Sequence, residues 1–213
     1  MQKSRQLAYG FRRVFQIGTA GAVAGVLLAG LAIAGVRAAQ EEGTYLWTMD
    51  AMGEVFSYKN DNTGAKFKLS DQYVIQGQRS VAVTPGGAAV ETKLALPLDG
   101  DRLAAWIGGD VVVVNVYLPA GNKLNPSKFF LGMADVTTDW AWVEGTFSNT
   151  EAKAGWNQVR FDLPEPMKKV SKDGKYMLYF AFIGYDTGGT NKVPLTETFY
   201  IDGIRVVKAA VEQ

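Results

Sequence analysis

Val111-Val112-Val113-Val114-Asn115-Val116-Tyr117-Leu118 is the stretch that decides the fold: seven of its eight residues are apolar and five are β-branched valines. It is bounded by Gly108-Gly109-Asp110 before and Pro119-Ala120-Gly121 after. A run this short, this β-branched and closed off by turn residues predicts a strand covered on both faces or nearly so, at the centre of a sheet. Further along, Asn157-Gln158-Val159-Arg160-Phe161-Asp162-Leu163 alternates strictly. Val159, Phe161 and Leu163 point one way and Gln158, Arg160 and Asp162 the other, which predicts a strand with one wet face.

Outward from these two, the chain beyond Gly43 is a succession of short Val, Tyr, Phe, Trp and Thr-rich runs separated by Gly, Pro, Asn and Asp. The expected strands are Tyr45–Met49, Ala65–Leu69, Tyr73–Ile75, Ser80–Thr84, Ala89–Leu94, Val111–Leu118, Phe129–Asp135, Trp140–Glu144, Trp156–Leu163, Met177–Tyr185 and Thr198–Val207. Helix is expected only for a turn or two at Asp101–Ile107 and Pro166–Val170. Many short strands at near-regular spacing, with no internal repeat, predict one all-β sandwich domain over residues 43–208, followed by a short tail, 209–213.

The 213 residues include no cysteine and no histidine. That removes Ser-His-Asp and Cys-His nucleophiles, an imidazole base, histidine- or thiolate-bound zinc, and disulfides. Five of the 22 basic side chains, Lys3, Arg5, Arg12, Arg13 and Arg37, lie in residues 1–38, which hold no acid. The rest of the chain is left with 17 basic groups against 21 acidic ones, so nothing in its charge suggests nucleic acid as a partner.

Residues 17–36 form an uncharged run of 20, from Ile17 to Val36, behind four of those basic residues and before Arg37. As a helix it would be roughly 30 Å long, the thickness of a bilayer's hydrocarbon core. Val36-Arg37-Ala38 also offers a cleavage site before Ala39, so residues 1–38 read either as a signal peptide or as a single membrane-spanning anchor. Gly21 and Gly25 give the small-xxx-small spacing that lets helices pack closely in lipid. In both readings the basic end stays in the cytoplasm and the domain lies outside the cytoplasmic membrane, on the periplasmic or extracellular side. Arg12-Arg13-Val14-Phe15 resembles a twin-arginine export core, with an ordinary positive flank as the other reading.

Four blocks then stand in order: Tyr117-Leu118-Pro119-Ala120-Gly121, Asp139-Trp140-Ala141-Trp142-Val143-Glu144-Gly145, Gly155-Trp156-Asn157-Gln158-Val159-Arg160-Phe161-Asp162-Leu163, and Phe199-Tyr200-Ile201-Asp202-Gly203-Ile204-Arg205-Val206. Together they resemble the jelly-roll carbohydrate-binding modules of the galactose-binding-domain-like type, which often accompany mannanases and other polysaccharide hydrolases. The resemblance spans roughly Tyr45 to Val207. It implies a non-catalytic glycan binder and a structural calcium held by Asp202 with Asp50 and Glu54 near the first strand, for which carboxylate oxygens suffice. The other reading of Asp202 is an acceptor for backbone N–H groups in a turn.

In a strand, Trp140, Trp142 and Glu144 share one face and Ala141 and Val143 the other. The two tryptophans then form a platform for sugar rings, with Asp135, Asp139 and Glu144 directing the hydroxyls; the alternative is that they fill the core. Trp106 and Tyr185 are lesser candidates, and Trp156 reads as a cap on the core. A second functional expectation is an accessory subunit of a membrane protein complex, anchored by residues 17–36 and using the sandwich for protein contacts. A hydrolase built on two of Asp135, Asp139 and Glu144 is the remaining expectation, set below the other two because acids beside aromatics serve binding sites equally well.

Overall fold

In a computed structural model, residues 43–51, 56–57, 64–87, 90–120, 127–186 and 188–208 are described, all within one compact unit, Glu41–Gln213. The expected signal or anchor segment and Glu54 lie outside these residues. Among the described residues no helix is long and apolar enough to cross a membrane.

The chain runs β1 (Thr44–Trp47), β2 (Phe56–Ser57), β3 (Lys66–Ser70), β4 (Ser80–Thr84), β5 (Glu91–Leu98), α1 (Gly100–Trp106), β6 (Val111–Leu118), β7 (Ser127–Asp135), β8 (Ala141–Phe147), β9 (Gly155–Asp162), α2 (Glu165–Lys168), β10 (Tyr176–Gly184) and β11 (Phe199–Val207). Two antiparallel sheets result. The first has the order β3-β4-β11-β6-β9, with β1 also paired to β11; the second has the order β2-β5-β10-β7-β8. This is the expected jelly-roll sandwich, with the valine strand β6 inside the first sheet between β11 and β9.

The core lies between the inner faces, where Val112, Val114 and Val116 of β6, Val159 and Phe161 of β9, and Phe129, Leu131 and Met133 of β7 meet Leu178, Phe180 and Phe182 of β10. Their spacing of two is the strand period, so each strand buries alternate side chains. Trp106 joins this core: it is fully buried and its indole N–H donates to the Met167 carbonyl at 2.8 Å.

One expected strand and one expected core residue turn out differently. Tyr73–Ile75 is loop, because Tyr73 has φ 53° and the Ile75 amide donates to the Asp202 carboxylate instead of to a neighbouring strand. Trp156 is half-buried on the outer face of the first sheet, edge-on to Tyr117, and is no part of the core.

Candidate functional site

The outer face of the second sheet is built from the residues that alternate with the core. On β7 these are Phe130, Gly132 and Ala134; on β10 they are Met177, Tyr179 and Ala181. Strand register places Phe147 opposite Phe130, Gly145 opposite Gly132 and Trp142 opposite Ala134. Residues directly opposite in an antiparallel pair present their side chains on the same face, so Trp142, Phe130 and Phe147 share the outer one. The Trp142 and Phe130 rings are parallel to within 6° at 6.3 Å, and Phe147 leans on Phe130 at 5.0 Å.

Two glycines make this strip possible. A Cβ on Gly132 would stand 2.3 Å from Cη2 of Trp142, and one on Gly145 would stand 2.4 Å from Cζ of Phe130 and 2.9 Å from Cζ2 of Trp142. The rings therefore lie flat on bare backbone. Trp142 stays 56% exposed and Phe147 52% exposed, although each is large and apolar. Further across the face, Tyr179 and Ala134 pack with Ala95 into a small buried cluster of their own. At its far end Glu91 pairs with Lys93 at 2.6 Å.

Trp140 is 52% exposed as well, but it precedes β8 in the turn rather than lying in the strand. Asp139 and Trp140 both take the left-handed conformation, at φ 54° and 64°, which non-glycine residues rarely adopt. Alternation also fails within β8. Trp142 pairs with Ala134 and Glu144 with Met133, so Val143 is an extra residue, and Glu144 falls in register with a core-facing side chain. The bulge thus separates Glu144 from the face that Trp142 occupies, and its Oε1 accepts from the Gly145 N–H at 3.0 Å. Ala141, expected inward, is exposed.

Asp135 closes the β7–β8 turn. Its Oδ1 accepts from the Thr137 hydroxyl at 2.5 Å and the Thr137 amide at 2.8 Å. Hydrogen bonds from Thr137, the hydroxyl's above all, hold its carboxyl below the usual carboxylate range. Tyr185 lies under the Lys128 ammonium, 4.9 Å from the ring centre. Phe130, Phe147 and the two glycines were the members of this face that sequence reading missed. The available signal was Gly132 set between core-type residues in β7, a position that costs strand stability unless something must come close.

On the first sheet, β11 carries a bulge in which Asp202 and Gly203 together oppose Asn115 of β6. Gly203 has φ 77°, and a Cβ there would stand 2.6 Å from the Tyr45 ring. The bulge aims Asp202 under the loop of residues 71–79, where Oδ2 accepts from the amides of Ile75 and Gln76, the latter at 2.7 Å. Asp50 Oδ1 accepts from the amides of Gln78 and Arg79 at 2.7 and 2.8 Å. Asp202 is fully buried and its Oδ1 has no hydrogen-bond partner. Burial, aided by the charge of Asp50 and opposed by the Gln76 and Ile75 amides, pushes its carboxyl up to about 7. Gly77, at φ 72°, leaves room for the Asp50 carboxylate, which a Cβ would meet at 2.1 Å. Two carboxylates in electrostatic contact, one with a buried lone oxygen, fit a hard cation. Among the described residues no third acid joins them.

No protein-family model matches this sequence, and no curated protein does. Solved structures share its fold. One, from work on the promiscuous specificity of carbohydrate-binding modules of the β-sandwich superfamily, superposes with a TM-score of 0.54 at 18% identity, covering 79% of this chain and 62% of its own. This chain thus spans about three-fifths of that protein's length. A family 28 carbohydrate-binding module described as specific for non-crystalline cellulose gives 0.50 at 10% identity, covering 78% and 95%. A family 27 module of Caldicellulosiruptor saccharolyticus, solved with mannohexaose, gives 0.48 at 14% identity, covering 80% and 100%. What the likeness shows is the fold, a two-sheet β-sandwich.

Proposed function

We propose that this protein is a non-catalytic glycan-binding module displayed outside the cytoplasmic membrane, taking a β-linked polysaccharide along the outer face of the second sheet. The observation that carries the reading is the strip of Trp142, Phe130 and Phe147 laid on Gly132 and Gly145. Exposed rings held rigid on bare backbone are what the C–H faces of sugar rings stack on, at little cost in ordering. Trp140, exposed in the turn that leads into β8, is a further ring that a glycan can meet. The apolar face supplies contact area and the polar groups at its ends supply direction. The family 28 module's described specificity makes cellooligosaccharides the first probe, with manno- and xylooligosaccharides beside them.

The test is calorimetric titration of the wild type and Trp142→Ala with the three hexasaccharides. One of them binds the wild type, and Trp142→Ala weakens it roughly tenfold or more, about 1.4 kcal/mol. No heat and no tryptophan fluorescence change with any of them would refute the reading. A calcium ion between Asp50 and Asp202 belongs to the same proposal, with a structural role: it joins the loop of residues 71–79 to β11. Calcium raising the melting temperature, and EDTA reversing the rise, is the expected result.

A further inference from the structure

A second cleft opens on the other sheet, at its β9 edge. It has a volume of about 640 Å³ and is lined by Thr150, Glu151, Lys153, Trp156, Asn157 and Gln158. That size lies within the ~300–1,000 Å³ range of small-ligand sites. Its aromatic wall is Trp156, which starts a row across three strands, because Trp156 pairs with Tyr117 and Tyr117 with Tyr200. Two strand spacings make that row roughly 10 Å long. Tyr73 lies flat on Tyr117 at 3.7 Å and is itself 38% exposed, while Trp156 stands edge-on to Tyr117 at 5.4 Å.

The loop that lines the cleft with Trp156 is held by hydrogen bonds of its own. Asn157 spends its amide on the loop: Oδ1 accepts from the Lys153 N–H at 3.0 Å, and Nδ2 donates to the carbonyls of Lys153 and Gly155 at 2.8 and 3.0 Å. The Thr150 hydroxyl accepts from the Arg160 amide at 3.2 Å. With the backbone so held, Glu151, Lys153 and Gln158 line the cleft together with Trp156 and give it its polar groups. Acceptors and donors are mixed and the two charges cancel, which suits a neutral polyhydroxyl compound and gives an anion no advantage.

We propose that this cleft is a second saccharide-binding site, independent of the Trp142 strip and on the opposite sheet, in which one or two neutral sugar rings stack on Trp156 while Glu151 and Gln158 bond their hydroxyls. Two such sites on opposite faces let one molecule bridge two glycan chains, or hold one chain at two points with a gain in avidity.

The experiment labels the five tryptophans of the full chain with 5-fluorotryptophan and follows them by 19F NMR, with Trp156→Phe and Trp142→Phe assigning the two signals. Cello-, manno- and xylohexaose are titrated to millimolar concentration. The Trp156 signal is expected to shift with its own midpoint, unchanged in a Trp140→Ala/Trp142→Ala double variant. Glu151→Gln, a substitution on an exposed loop, weakens that curve at least threefold and leaves the Trp142 curve in place. If the Trp142 signal moves and that of Trp156 does not, the second site is refuted and the first stands. If Trp156 responds only while Trp142 is present, independence is refuted. If neither signal moves with any hexasaccharide, both readings fall.

Discussion

β10 and β11 are the strands at the middle of the two sheets, each nine residues long, and they are built on opposite plans. β10 pairs in unbroken register with β5 and β7, burying Leu178, Phe180 and Phe182 inward and keeping small or apolar residues outward. β11 breaks at Asp202 and Gly203, changes its partner along one side from β4 to β1, and buries Asp202 and Arg205. Regularity in β10 gives the second sheet a smooth outer face on which rings can lie. Irregularity in β11 gives the first sheet polar anchor points, with Asp202 holding a loop and the Arg205 guanidinium donating to the side-chain Oδ1 of Asn115 at 3.2 Å. The regular strand supports a smooth surface, and the bulged one ties the chain together.

The substitution that breaks this contrast most sharply is Gly203→Val. It forces a β-branched residue into φ 77° and drives a Cβ into Tyr45, so urea unfolding shows a loss of roughly 3 kcal/mol. Ala181→Gly, in the regular strand, costs only about 1 kcal/mol. If the two losses are equal, the bulge is no structural keystone.

Next comes pH. The carboxyl of Asp202 sits at about 7 in the folded chain and near the ordinary value of 3.8 unfolded. Between those values the folded state holds the proton and the unfolded state does not. Stability of the EDTA-treated protein is therefore expected to fall as pH rises from about 4 to about 7 and to level off above that. Asp202→Asn removes this slope. Melting curves across that range check it, and a slope that survives the substitution assigns it elsewhere.

On the smooth face, Gly132→Ala pushes the Trp142 indole off its seat. Affinity for the bound hexasaccharide drops several-fold, up to roughly tenfold, while stability changes by less than about 1 kcal/mol; calorimetry and urea unfolding separate the two. The smallest effect belongs to the turn. Thr137→Val takes the hydroxyl from Asp135, whose NMR titration moves up toward the ordinary range. Asp135 thereby loses part of a contribution that is present above the unfolded carboxyl's range and disappears as pH falls through the folded one.

The regular parts were the legible parts. The valine run of β6 and the alternation of β9 can be read directly because the strand period governs them, and Asp202 stands out as an acid in an apolar strand. What escaped reading departs from the period. The extra residue at Val143 moves Glu144 off the face of Trp142, and nothing in Trp140–Glu144 marks the bulge. Gly132 and Gly145 matter through each other and through Phe130, across strands that sequence does not align. Trp156 looked like a core residue because large aromatics usually are, and only the register with Tyr117 shows its outward face.

The connectivity of the first sheet bears on how the protein is made. β11 lies between β4 and β6, yet it is the latest of the described strands to be synthesised. Until Val207 has left the ribosome, β1, β4 and β6 lack the neighbour that aligns them, so that sheet rests on non-local pairing with a strand made after them. Until that middle strand arrives, the edges of β4 and β6 that it will cover stay unpaired and open to aggregation.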